Sequence, residues 1–151
     1  MSQPHELSAQ ELLAAYRNKT LSPVEATRSV LDHIARWEPH IHATYALDPD
    51  QALTQARASE ARWMKGEPQA CGGYSLDGVP ATIKENIATR GVPVPLGTAA
   101  TDLTPAAADA PPASRTCEAG VGGLGKNTPP TPRTPSSGMP SLPSPPYNPP
   151  D

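Results

Sequence analysis

The stretch LDGVPATIKENIATRG, Leu76–Gly91, decides how the rest of the chain is read. Val79 to Ile83 form a short apolar run that predicts a strand entering a core, and Lys84 stands at its end beside Glu85 and Asn86. Residues Glu85 to Gly91 then predict a turn leaving the core. A lysine there can be sheltered by Ile83 and Ile87 while its amine faces a cavity. From Gly72 onward glycine, proline and short apolar runs alternate, the texture of loops and strands in an α/β protein.

Working back toward the N-terminus, three elements carry their own start signals. Ser8 and Glu11 form a capping box, with Leu7 and Leu12 as a staple, predicting a helix to about Asn18. Ser22-Pro23-Val24-Glu25 repeats the device with proline at the first helical position, and Thr27, Val30, Leu31 and Ile34 give that helix one apolar face. Pro39 is expected to stop it, because the residue before a proline is pushed out of the helical region. Ile41, Ala43, Tyr45 and Leu47 alternate with His40, His42, Thr44 and Ala46, a strand period. Asp48-Pro49-Asp50-Gln51 opens a third helix with Leu53, Ala56, Ala61 and Met64 along one face, and Gly66 closes it. His40 and His42 would share one side of the strand, but no third ligand stands nearby, so they read as solvent-facing. Trp37 and Trp63 read as packing residues.

Toward the C-terminus, Asp109-Ala110 caps a helix running through Ser114, Arg115 and Glu118 to Gly120. Val121 to Lys126 is a further strand, weakened by Gly122 and Gly123. Ten prolines then crowd residues 127–151. They remove backbone donors and forbid helix interiors and central strands, so a polyproline-like or disordered tail is expected. The division read from this is 1–126 as the folded portion and 127–151 as the tail.

Composition bounds the classes. Leu, Ile, Val and Phe make up 22 of 151 residues, below the roughly 20 % level at which a chain struggles to bury a core. A net charge of −3 suggests neither a nucleic-acid nor a membrane surface. No N-terminal basic patch leads an apolar run, and no apolar window approaches membrane-spanning length, so a cytoplasmic chain is the default. Cys71 and Cys117 stand far apart without a C-x-x-C, giving neither a zinc site nor a disulfide framework.

The run L-x-G-V-P-x-x-I-K-x-N-I-x-T-x-G resembles the catalytic-lysine segment of the amidase signature family, serine hydrolases with a Ser–cis-Ser–Lys triad. The resemblance is diffuse over residues 5–70, strong over 72–126, and reduced beyond that to landmarks. Gly125-Lys126 is similar to a G-K-T segment, Ser136-Ser137-Gly138 to a serine–glycine site, and Asn148-Pro149 to an N-P preceding the glycine–serine signature. It implies an α/β fold, the N-terminal part of the amidase-signature architecture with helices around a mixed sheet. It further implies Lys84 as the catalytic base, a small-molecule amide as the parent enzyme's substrate, and no metal or organic cofactor. In that chemistry the lysine takes a proton from one serine, which relays it from the nucleophilic serine, and backbone N–H groups stabilise the oxyanion. Such a lysine must be neutral, which from a reference pKa near 10.4 costs about 4–5 kcal/mol at pH 7 and requires burial.

No G-G-S-S-G-G run occurs in the sequence, and Ser136 and Ser137 lie upstream of where it belongs. The expectation is therefore an amidase portion carrying the lysine without the serine pair, inactive alone, from a truncated or decaying gene or an incomplete record. A glutamine-hydrolysing amidotransferase A-type subunit shares the pattern. Two other readings compete. Gly120-Val-Gly-Gly-Leu-Gly125-Lys126 imitates a phosphate-binding loop, which needs a strand before it and a helix after it. The proline-rich tail would suit a non-catalytic interaction protein that docks on aromatic grooves.

Overall fold

The computed structural model describes residues 3–94 and 104–127. A short 3-10 turn, Pro4–Glu6, leads into α1 (Ala9–Arg17), α2 (Pro23–Ile41), β1 (Thr44–Tyr45), α3 (Pro49–Lys65), β2 (Pro80–Lys84), α4 (Pro111–Glu118) and β3 (Gly122–Asn127). The strands form one mixed sheet in the order β1-β3-β2. β2 runs parallel to β3, with Ile83 opposite Lys126 and Lys84 opposite Asn127, and β1 runs antiparallel to β3. The proline-rich tail, with Ser136, Ser137, Asn148 and Pro149, lies outside the described residues.

The capping boxes of Ser8 with Glu11 and Ser22 with Glu25 form as the sequence dictates. The Asp48 carboxylate accepts from the Gln51 amide, and Gly66 closes α3 at φ 78, where glycine carries no steric penalty. The apolar faces of α1 and α2 meet α3 around Leu12, Tyr16, Ala26, Trp63 and Val79. Tyr16 donates to the Gly78 carbonyl (3.2 Å) and the Trp63 indole donates to the Asp77 carbonyl (3.0 Å), which ties the helices to the segment entering β2.

Four expectations are corrected. Pro39 does not stop α2, which continues to Ile41. A proline near the end of a helix forfeits one hydrogen bond, here to Ala35, and the exit is held instead by Glu38. Its carbonyl accepts from the His42 amide at 2.9 Å, and its carboxylate accepts from Ala43 (3.2 Å) and Thr44 (3.0 Å). The strand expected over Ile41–Leu47 consequently shrinks to Thr44–Tyr45. His42 caps the helix at φ 48, Ala46 takes φ 50, and His40 packs edge-on against Trp37. On α3 the buried face is Ala52, Ala56, Ser59 and Trp63: Ala56 is buried as expected, but Ala61 and Met64 are exposed and the large indole takes the core instead. Trp37 is 45 % exposed, so only Trp63 serves as a core packing residue.

The glycine-rich β3 is the central strand among the described residues. Gly125 sits at φ 141, and a Cβ there would lie 2.6 Å from the Ala46 carbonyl oxygen. The close approach of β3 to the residues after β1 thus needs glycine at position 125, whereas a Cβ at Gly122 or Gly123 would meet only ordinary contacts, at 3.5 and 3.7 Å. The same geometry removes the phosphate-loop reading. Gly122–Asn127 is strand, and Gly122 donates its amide to Val79 rather than presenting it to an anion.

Candidate functional site

Lys84 is the last residue of β2, at the carboxyl end of a strand paired in parallel. The chain turns immediately after it: Ile87 donates its amide to the Lys84 carbonyl at 3.0 Å, and Glu85 donates to Asn127 at 3.0 Å. Side chains alternate across a strand, so Lys84 and Thr82 share one face, both exposed, while Ile83 points to the other. The apolar wall expected around the Lys84 amine from Ile83 and Ile87 is therefore not formed by the described residues. A cavity of about 660 Å³ opens on the Ile83 face, bordered by Ile83, Lys126, Arg90, Asp109 and Cys117, and Lys84 is not among its lining residues.

The buried lysine is Lys126, 2 % exposed, on β3 opposite Ile83. Its Nζ donates to the Ile87 carbonyl at 2.6 Å and to the Glu85 carbonyl at 3.4 Å. Burial lowers its pKa below the ordinary lysine range, partly opposed by attraction from Glu85, which is itself 5 % exposed. Sequence reasoning places Lys126 only as a landmark or in a phosphate loop. Its pairing with the turn after Lys84 depends on the parallel register, which no local pattern announces.

A second polar cluster supports the strand from below. Asp77 has no exposed surface. Arg62 donates to it from Nε (2.8 Å) and Nη2 (2.5 Å), and the Gln69 amide donates at 2.8 Å. Burial alone would raise the Asp77 pKa; the bonds from Arg62 and Gln69 overcome this and hold it below the usual carboxylate range. The bidentate guanidinium fork fits a carboxylate closely, and it fixes the loop between α3 and β2. Among the described residues no group of three His, Cys, Asp or Glu side chains is placed to hold a metal ion, and no helix is long and apolar enough to cross a membrane.

The amidase family profile matches residues 25–151. The chain belongs to the amidase family. Curated relatives include the A-type subunit of the glutamyl-tRNA(Gln) amidotransferase from Acidothermus cellulolyticus, 41 % identical over 90 residues (60 % of this chain, 17 % of that protein). Its counterpart in Coxiella burnetii is 33 % identical over 122 residues (81 % and 24 %). Among solved structures, a bacterial aryl acylamidase of the amidase signature family aligns with TM-score 0.71 and 28 % identity over 83 % of this chain and 26 % of its own. The native peptide amidase of Stenotrophomonas maltophilia aligns with TM-score 0.71 and 25 % identity over 83 % and 26 %. The 151 residues span about a fifth of the length of the curated relatives they match.

Proposed function

We propose that this chain supplies the lysine-bearing portion of an amide-hydrolysing site, with Lys84 as the base that takes up a proton from a serine during C–N bond cleavage. The observation that carries the reading is the position of Lys84 at the carboxyl end of a parallel strand, within a family match covering residues 25–151. The substrate class is a small-molecule amide, released as a carboxylate plus ammonia or an amine. The 151-residue sequence contains no paired glycine–serine run to act as nucleophile and relay, and a base without a nucleophile does not form an acyl-enzyme. The chain alone is therefore inert toward amides.

The purified chain, assayed for ammonia or amine release on a panel of simple amides, should show no turnover. Turnover abolished by Lys84→Ala would overturn its inertness. The role of Lys84 is tested by replacing the matching segment of the aryl acylamidase with residues 25–127. An active chimera should lose at least about a thousandfold in kcat on Lys84→Ala, the scale of removing one member of a catalytic unit. Retained activity would remove Lys84 from the chemistry. The identity with amidotransferase A-type subunits favours a second reading, in which the amide is glutamine and the ammonia passes to another acceptor. Glutamine-specific release by the chimera, against silence on aryl amides, would select it.

A further inference from the structure

We infer that Lys126 is a positioning residue that sets the direction in which Lys84 leaves the sheet, an inference that rests on the reading of Lys84 as the base. The two lysines lie on adjacent parallel strands, one residue out of step, so they project to opposite faces: Lys126 pairs with Ile83, and Lys84 with Asn127. Lys126 reaches Lys84 through backbone. Its Nζ sits inside the turn that begins at Lys84, donating to the Glu85 and Ile87 carbonyls, while Ile87 closes the turn on the Lys84 carbonyl. A side chain 2 % exposed has no water to replace those bonds, and both the ammonium and the neutral amine keep the N–H donors that the carbonyls need. The turn therefore has one supported geometry, and with it the last backbone bonds of Lys84 are fixed. Loss of the donor deprives the Glu85 carbonyl of the lysine amine and leaves the Ile87 carbonyl only a long bond from the Thr89 hydroxyl (3.5 Å), which favours their rotation toward solvent.

The test uses the whole 151-residue chain and reads the turn and the Lys84 amine separately. Lys126→Met keeps the stem and removes the donors; Lys126→Arg keeps the donors. Hydrogen exchange at the Glu85 and Ile87 amides should accelerate about tenfold or more in the Met variant, the scale of one lost buried hydrogen bond. Amides of α1 should stay at the wild-type rate. Acetic anhydride labelling of Lys84, measured by mass spectrometry as a ratio to the exposed Lys19 and Lys65 across pH, should change in the Met variant. The Arg variant should restore both readings. A Met variant with wild-type exchange at the turn overturns the inference, and so does a loosened turn with an unmoved Lys84 profile, which would leave Lys126 a purely structural strut. If the Met variant fails to fold by circular dichroism, Lys126→Ala in the presence of ethylammonium decides: recovery of turn protection and of the Lys84 profile supports the coupling, and no recovery overturns it. These readings do not involve amide turnover. A chimera active without Lys84 would sink the functional reading and leave the coupling of the two lysines intact.

Discussion

Asp77 is fully buried, and Arg62, with a side chain one-third exposed, supplies its compensating charge. Removing the partner of a buried charge is expensive; with Arg62 partly solvated, Arg62→Ala should destabilise the fold by about 2–4 kcal/mol, somewhat less than for a fully enclosed pair. Chemical denaturation checks this. Because the folded-state pKa of Asp77 is depressed, its contribution is fully present above the unfolded value near 4 and disappears as pH falls through the lower folded value. Acid titration of stability should accordingly be flatter in Asp77→Asn than in the wild type below about pH 4. Gly125→Ala places a Cβ 2.6 Å from the Ala46 oxygen at φ 141 and should cost about 1–3 kcal/mol, read in the same assay. At this scale the sequence is legible where a motif is contiguous, as for the strand that ends at Lys84. It is silent on Arg62 with Asp77 and on Lys126 with Ile87, because both pairings depend on rotations and registers set by distant packing.

Elements are legible where their signals are local. Ser8 and Ser22 cap α1 and α2 through the third amide that follows each, and such caps are written within four residues. Ser8→Ala and Ser22→Ala should each lower stability by about 1 kcal/mol, measurable as a shift of the thermal midpoint. The end of α2 is hidden from sequence reasoning because Pro39 breaks a helix only if the helix must continue well beyond it. The cost of one lost bond is offset by the three that Glu38 makes at the exit. Glu38→Ala should therefore fray α2 back toward Glu38 and loosen β1, seen as faster hydrogen exchange at Ala43 and Thr44 with α1 unaffected. Alternation of apolar residues over 41–47 is a real period, overridden by a helix whose exit is stapled two residues later than its proline suggests.

For the molecule as a whole, a small complement of Leu, Ile and Val still yields a core because tyrosine and tryptophan take up the volume. Tyr16 and Trp63 have ring centroids 6.0 Å apart beneath Val79. Tyr16→Phe should cost about 1 kcal/mol through the lost bond to Gly78, and Leu12→Ala about 2–4 kcal/mol through the cavity left behind. Since the same cluster joins α1, α3 and the approach to β2, far-ultraviolet and tryptophan signals should report one coincident transition for each variant.

The strand at the middle of the sheet, β3, follows both of its neighbours in the chain. On a ribosome adding about 5–20 residues per second, α1 to α3 emerge seconds before it. Until it arrives, β1 and β2 have no edge in common to zip onto. Nascent chains arrested before Gly122 should thus be protected from protease across their helices and cut freely around Ile83, and protection there should appear abruptly once β3 has cleared the exit tunnel.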